Sequence, residues 1–182
     1  AGATISLSVN GKPYTTLCSE SNVWQIAVDP LVAGADISAY AIATDKSRSY
    51  TTHAKVSYLG SGTESDPYRI YNQDELSRMN DKGYYILMND IDLSGTAEWK
   101  PIAQNSTISA VFDGQNYTIS GLTITTAVEQ AALFAACSDM TIKNLNLNVK
   151  KINGSGITAT LVAKANDTNI ENCHVIITGN VK

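Results

Sequence analysis

A pattern of apolar and small residues recurs four times between Met88 and Val175. In each copy an apolar residue is followed two positions later by Asp, Gly or Asn, and then by two apolar residues in alternation. The copies begin at Met88, Ile119, Ile142 and Ile170. Repeat units of roughly 20–30 residues are typical of solenoid proteins, in which each unit stacks on the one before.

The small or polar residue at the third position of each copy predicts a bend, because Gly, Asn and Asp tolerate a left-handed backbone. The predicted bend residues, which we expect to form one vertical row, are Asp90, Gly121, Asn144 and Asn172. The alternation after each bend predicts a strand whose apolar residues face the core. These predicted core residues are Ile91, Leu93, Leu122, Ile124, Leu145, Leu147, Cys173 and Val175.

The last two copies match over a longer stretch than the motif itself, and one constant offset, that between Ile142 and Ile170, relates them throughout. A constant offset places like residues above one another, about 4.8 Å apart, when coils stack. Asn144 and Asn172 would then form an amide ladder in which each side chain bonds to the next. The alternative is that both are ordinary turn asparagines.

These patterns predict an all-β fold, a right-handed parallel β-helix of a few coils.

A short helix is predicted at residues 72–80, before the first copy. Asn72 is a good N-cap residue, and Glu75 stands three positions later, as in a capping box. Such a short helix is marginal alone. We expect it to cover the first coil, whose edge would otherwise expose backbone groups and core.

The pattern before Gly60 is different. Short apolar runs separated by turns predict antiparallel strands at residues 5–9, 23–28, 37–43 and 52–58, with a turn at 10–13.

On the runs 9–12, 24–26 and 30–37, this segment resembles part of a bacterial immunoglobulin-like domain. The stretch that follows, 60–67, is rich in Gly, Ser and acidic residues and has the composition of a linker. The predicted domains are therefore residues 1–59, an antiparallel β segment, and residues 60–182, the parallel β-helix.

From Gly60 onward the chain resembles a family of bacterial surface proteins that carry GLUG repeats. The resemblance rests on Gly-x-Gly-x-x-x-x-Pro-Tyr-x-Ile at 60–70, Asn-Asp-Ile-Asp-Leu at 89–93, Trp-x-Pro-Ile at 99–102 and Phe-Asp-Gly-x-x-x-x-Ile at 112–119. It implies a parallel β-helix exported to the cell surface or beyond. The chain departs from the family where Gly-Leu-x-Gly is expected, since the glycines are replaced by Ala132, Ala135, Thr160 and Ala163.

The composition excludes several classes of function. The net charge of −4 and the lack of a basic stripe argue against nucleic-acid binding. No apolar run reaches membrane-spanning length, so we expect no membrane span in this chain. Three cysteines without a Cys-x-x-Cys pair favour neither a complete disulfide framework nor a zinc site.

Five aspartates are the candidates for catalysis or calcium binding, because hydrolases pair carboxylates and calcium prefers oxygen ligands. They are Asp90, Asp92, Asp113, Asp139 and Asp167. All have an alternative explanation as turn or solvent-facing residues. His53 and His174 have no evident partner along the chain. We therefore expect no catalytic residue, no metal ligand and no cofactor.

We expect a non-enzymatic module of a bacterial surface or secreted protein, with a role in adhesion or as a scaffold. Its partner would be a glycan or protein of the host or of the cell surface. The alternative is a polysaccharide-active enzyme, a lyase or hydrolase, or a carbohydrate-binding fragment of one. Because the chain stops just after a complete copy, we also expect a β-helix truncated at its C-terminus, whose open last coil is a candidate surface for self-association.

Overall fold

The chain divides into two units, Ala1–Leu59 and Gly60–Lys182. The structure is a computed structural model, and it describes residues 3–18, 24, 26–28, 31, 34–45, 47–56, 58–79, 82–95 and 98–182.

The first unit is built on an antiparallel sheet. Its strands are β1 (Thr4–Val9), β2 (Lys12–Leu17), β3 (Asp36–Ile42) and β4 (Thr52–Lys55), in the order β2-β1-β3-β4. Asn10 and Gly11 both have positive φ, 49° and 84°, and join β1 to β2 in a two-residue hairpin. Such a turn matches the twist of the two strands, which explains why an Asn-Gly pair stands here.

Two predictions for the first unit need correction. The turn is confined to Asn10 and Gly11, and β2 begins at Lys12 within the segment predicted as turn. The strand predicted at 23–28 lies partly outside the described residues, and its described residues, 24 and 26–28, are not in a strand. The part of this unit that the structure describes forms one sheet, whereas an immunoglobulin sandwich has two.

The second unit is a parallel β-helix, which confirms the predicted fold class. Its elements are β5 (Tyr68–Ile70), α1 (Gln73–Ser77), β6 (Tyr84–Leu87), β7 (Ile91–Asp92), β8 (Val111–Asp113), β9 (Thr118–Ile124), β10 (Gln130–Ala131), β11 (Phe134–Ser138), β12 (Thr141–Lys143), β13 (Asn146–Ile152), β14 (Ile157–Thr158), β15 (Val162–Asn166), β16 (Asn169–Glu171) and β17 (His174–Val181).

The strands of the β-helix form stacked parallel sheets. One sheet has the order β16-β12-β8-β6-β5 and another the order β17-β13-β9-β7, while β10 pairs with β14 and β11 with β15. Ile142 of β12 lies between Phe112 and Ile170 of the neighbouring coils. The constant offset seen in the sequence relates the pairs Ile142–Ile170 and Leu147–Val175. It is kept as far as Val149, after which a bulge shifts the pairing of β13 with β17 by one residue.

Helix α1 connects β5 to β6 and is shorter than predicted. The Asn72 side chain accepts a hydrogen bond from the N–H of Glu75 at 2.9 Å, which confirms the N-cap. Glu75 reaches back to the N–H of Tyr71 at 2.6 Å, one residue before the position of a capping box. Leu76 and Met79 are fully buried.

Among the described residues, no helix has the length and hydrophobicity that a membrane span requires.

The segment predicted as a linker is a hydrogen-bonded turn that begins the second unit. The carbonyl of Asp66 accepts hydrogen bonds from the N–H groups of Ser61 and Gly62, each at 3.0 Å. The Asp66 carboxylate also pairs with Arg69 at 3.0 Å. The carbonyl of Gly62 in turn accepts from the N–H of Tyr84 at 3.0 Å, which ties the turn to β6.

The core runs through the interior of the β-helix. Phe112 and Phe134 contact each other edge to face, with ring centroids 5.7 Å apart, and both are fully buried. The predicted core residues that are buried are Ile91, Leu93, Leu122, Ile124, Leu145 and Leu147. Cys173 and Val175, in the coil formed by β14–β17, are only half-buried.

Candidate functional site

A row of polar side chains crosses three coils at the bend after β8, β12 and β16. Asn172 donates from Nδ2 to Oδ1 of Asn144 at 2.8 Å, and Asn144 donates from Nδ2 to Oδ1 of Asp113 at 3.0 Å. Asn144 and Asn172 have φ of 52° and 48°, the left-handed conformation that favours asparagine. The predicted amide ladder is therefore present for these two residues, and Asp113 extends it. We call Asp113, Asn144 and Asn172 the ladder.

The carboxylate of Asp113 ends the ladder and is held by residues of its own turn and of the next coil. Besides Asn144, its Oδ1 accepts from the N–H of Gln115 at 2.9 Å. Its Oδ2 lies 3.6 Å from Nζ of Lys143, whose side chain is about one-third exposed. These partners explain Asp113 as a turn and ladder residue.

The prediction that Asp90 belongs to the same row is wrong. Ile91 pairs with Ile119, and Ile119 pairs with Leu147, so Asp90 lies at the level of Asn146 rather than of Asn144. Asp90 is not among the residues with positive φ. Its carboxylate instead accepts from the N–H of Thr118 at 2.7 Å and ties adjacent coils together.

Gly121 also lies outside the ladder, although its φ of 75° is left-handed as predicted. It stands within β9 where the pairing to β13 shifts register, which is a β-bulge. A Cβ at Gly121 would lie 2.7 Å from the backbone nitrogen of Ser94. This position requires glycine because another coil passes so closely.

The coil of β8 and β9 has a longer bend than the coil of β12 and β13. Phe112 pairs with Ile142, but Thr118 pairs with Asn146, so the offset between paired residues becomes shorter by two after the bend. The two additional residues are accommodated at the bend itself, where Gln115 and Asn116 both have positive φ. The copy that begins at Ile119 matches the copy at Ile142 in letters, but in the structure Ile119 pairs with Leu147, and Phe112 is the partner of Ile142.

Asp92 is likewise held by the turn that follows it. Oδ1 of Asp92 accepts from the N–H of Ser94 at 2.8 Å, and Oδ2 accepts from the Ser94 hydroxyl at 2.9 Å. The pKa of Asp92 is lowered, chiefly by the backbone hydrogen bond from Ser94. A carboxylate that is stabilised in its charged form is a poor general acid at neutral pH.

Asp139 and Asp167 occupy equivalent turns in successive coils. Their φ angles are 51° and 43°, and the N–H of Asp139 donates to the carbonyl of Asn166 at 3.0 Å. They follow β11 and β15, away from the ladder, which follows β8, β12 and β16 along the chain. Both are turn residues of a kind that Asp commonly fills.

The histidines and cysteines form no reactive cluster among the described residues. His174 lies on β17 beside Asn146, and His53 lies on β4 beside Ser38 in the other unit. Burial raises the pKa of Cys137 to about 12, so this residue is an unreactive thiol of the core. In the described part of the chain, no group of three or more His, Cys, Asp or Glu side chains could hold a metal ion.

A cleft of about 370 Å³ lies elsewhere on the β-helix and was not predicted. Its lining residues include Glu98, Lys100, Gln104, Asn105 and Thr126. The Glu98 carboxylate accepts hydrogen bonds from the backbone of Thr125 and from the backbone and hydroxyl of Thr126. These bonds, first that from the Thr126 hydroxyl, lower the pKa of Glu98 to about 2. The carboxylate therefore stays charged and positions the loop at 125–126.

Substitutions at Asn144 separate the contribution of the ladder's hydrogen bonds to stability from that of its left-handed backbone conformation. Asn144→Ala should cost about 2–3 kcal/mol, of which about 1–2 comes from alanine at positive φ and about 1 from the lost hydrogen bonds. Asn144→Gly should cost only about 1 kcal/mol, because glycine accepts the conformation but not the bonds. Urea denaturation of both variants measures the difference. Wild-type stability in Asn144→Ala would contradict a structural role for the ladder.

No protein-family model, curated protein or solved structure matches this chain. The resemblance to GLUG-repeat proteins therefore stays a prediction from the motifs.

Proposed function

We propose that this chain is a non-enzymatic module of a bacterial surface or secreted protein, in which the β-helix acts as a scaffold or in adhesion. The observation that carries this proposal is that the aspartates are hydrogen-bonded within the fold. Asp90, Asp92 and Asp113 each accept hydrogen bonds from turns or adjacent coils. Each of these hydrogen bonds gives its carboxylate a structural role, in a turn or between coils, so the fold accounts for these aspartates without catalysis.

The proposed location, outside or on the surface of a bacterium, rests on the GLUG-like motifs. The proposed partner is a glycan or protein of the host or the cell surface. A stacked β-helix suits this role because its sheets present long rows of side chains at a fixed spacing of about 4.8 Å.

A carbohydrate-active or carbohydrate-binding protein is the second candidate, and the cleft at Glu98 favours it. Amide and charged side chains meet there, at Gln104, Asn105 and Lys100, beside a cavity large enough for a small ligand. Groups of this kind bind hydroxyls, but Glu98 is already occupied by backbone donors.

Assays for cleavage of polysaccharides test the proposal. The protein is incubated with pectin, alginate or glycosaminoglycans, with and without calcium, and reducing ends and unsaturated products are measured. We expect no turnover. Turnover that Asp113→Asn or Asp90→Asn abolishes, and that Asp45→Asn in the first unit retains, would establish the enzyme instead.

A glycan array with the same protein tests the second candidate separately. Binding that is lost in Lys100→Ala but kept in Lys150→Ala, an exposed lysine of β13, would assign carbohydrate binding to the cleft. Binding unaffected by Lys100→Ala would exclude the cleft as the site.

A further inference from the structure

The stack of coils contains an internal gap. Before the gap, the N–H of Trp99 donates to the carbonyl of Thr123 in the next coil at 2.8 Å. After it, the N–H of Ile102 donates to the carbonyl of Leu133 at 3.0 Å. Between these two hydrogen bonds the earlier coil has only two residues, whereas the next coil has nine, 124–132. The earlier coil therefore takes a much shorter path and provides no strand beside this part of the next coil.

The opposite side of the same segment pairs with the coil that follows. The carbonyl of Ile124 accepts a hydrogen bond from the N–H of Asn153 at 2.8 Å. The carbonyl of Val128 accepts one from the N–H of Ser155 at 3.0 Å. Strand β10 then pairs with β14 and, among the described residues, with no other strand. The gap is thus bounded by pairings at both ends, and it makes one side of β10 an edge inside the stack.

The backbone of Gln130 in β10 points into this gap. The carbonyls of Glu129 and Ala131 point toward β14, since they accept hydrogen bonds at 2.7 and 2.9 Å from its coil. Because backbone groups alternate in direction along a strand, the N–H and C=O of Gln130 point the other way. In the described part of the chain, neither of these two groups has a hydrogen-bond partner. Such an edge is a template for pairing with another strand.

A cavity of about 240 Å³ lies against this edge. Residues 127–130 line one side of it, and the exposed Gln104 and Asn105 line the other. The cavity adjoins the cleft at Glu98, since Gln104, Asn105 and Val128 line both. We call the cavity and the cleft together the slot. The unpaired edge therefore faces open space wide enough to admit a ligand.

The Glu98 side chain occupies one end of the slot in place of a strand. Its carboxylate accepts hydrogen bonds from the N–H groups of Thr125 and Thr126, as the carbonyls of a neighbouring strand would. Residues 127–130 stay open beyond it, and four residues of strand are about 13 Å long.

We propose that the slot binds an extended peptide of a partner protein, which adds a strand beside β10. Strand addition to an open edge is a common mode of peptide recognition, in which main-chain hydrogen bonds supply affinity. The N–H and C=O of Gln130 require a ligand that both accepts and donates there, as a peptide backbone does. This inference deepens the proposed adhesive or scaffold role and rests on it, because it names a protein segment as the partner.

Selection from a displayed library of random heptapeptides tests the slot. We expect binders to be enriched. A synthetic copy of a selected peptide should bind Gln130→Pro at least about tenfold more weakly than wild type, because proline removes the N–H at the edge. Gln130→Ala is the matched control, since it changes the side chain and keeps the N–H, and it should bind the peptide as wild type does.

N-methylation of the peptide tests the main-chain hydrogen bonds without changing the protein. Two copies are made, methylated at one or the other set of alternate residues. The copy that loses the N–H groups facing β10 should bind at least about tenfold more weakly than the unmodified peptide. Equal binding by both methylated copies and the unmodified peptide would overturn strand addition.

Amide hydrogen exchange of the wild-type protein gives a readout that does not depend on the folding of a variant. The N–H of Gln130 should exchange rapidly in the protein alone and more slowly with saturating peptide. No enriched peptide, unchanged exchange at Gln130, or normal binding by a folded Gln130→Pro variant would each overturn the proposal. Slow exchange without peptide would also overturn it, because the protein itself would then fill the slot.

Two further outcomes separate this proposal from the proposed function. A glycan whose binding Gln130→Pro abolishes would assign the slot to sugars and overturn the peptide proposal. Turnover of a polysaccharide together with peptide binding that Gln130→Pro abolishes would overturn the non-enzymatic role and support the slot as a peptide site.

Discussion

Gly60→Ala should lower the free energy of unfolding of the β-helix by roughly 3 kcal/mol, the upper part of the range for a residue forced into a disfavoured backbone conformation. Gly60 has φ of 97°, and a Cβ there would lie 2.0 Å from the carbonyl oxygen of Pro67. The obstacle is backbone, so the turn that begins the second unit would have to move. Urea denaturation followed by circular dichroism measures the loss.

Gly95→Ala is the control for this prediction. A Cβ at Gly95 would meet nothing within 4 Å, and the residue does not have positive φ. Its stability should stay within about 0.5 kcal/mol of wild type. Equal midpoints for the Gly60 and Gly95 variants would show that the turn at 60–67 is not a fixed part of the fold.

Phe112→Ala should cost about 3–5 kcal/mol, the range for removing a large aromatic side chain from a core. Phe112 is fully buried in β8, which lies between β6 and β12, and its ring packs against Phe134. The cavity would lie between coils, where stacked strands cannot close on it without losing their hydrogen bonds. Thermal or urea unfolding measures the effect.

Two variants serve as controls for Phe112→Ala. Phe112→Leu retains most of the volume and should cost under about 1.5 kcal/mol. Lys150→Ala removes an exposed side chain of β13 and should change stability by under about 0.5 kcal/mol. A cost for Phe112→Ala as small as that for Lys150→Ala would mean that Phe112 does not face the core.

The parallel stacking of the last two coils could be predicted because the offset between them is constant from β11 to Val149, and one residue is inserted only near the end of β17. Ile142 and Ile170 keep the same offset as Leu147 and Val175, so the pattern of letters follows the geometry. The ladder residues Asn144 and Asn172 follow from the same register.

The register of the earlier coils does not follow from the sequence pattern, because these coils differ in length at a bend and within a strand. Gln115 and Asn116 lengthen one bend, and the bulge at Gly121 adds a residue within a strand. A pattern with only three apolar positions can match in the wrong register, which misplaced Asp90 and Gly121. The equivalent of Asn144 in that coil is Gly114, directly after Asp113.

Two other features were missed for different reasons. Strand β2 was overlooked although the signal was present, since Asn10-Gly11 is a strong hairpin turn and Pro13 is tolerated on an edge strand. The cleft at Glu98 has no signal in the sequence, because its walls come from separate segments, around Lys100, Gln104 and Thr126, that share no motif.

The parallel stacking of coils is the central claim, and nuclear Overhauser effects between backbone and methyl protons test it most directly. In-register parallel stacking predicts methyl contacts between Ile142 and Ile170 and between Leu147 and Val175. It also predicts contacts between backbone protons of residues related by this same offset across β12–β16 and, as far as Val149, across β13–β17. Short contacts between the α-protons of facing residues are typical of antiparallel pairs, and finding them between β13 and β17, with no contact from Ile142 to Ile170, would contradict the β-helix.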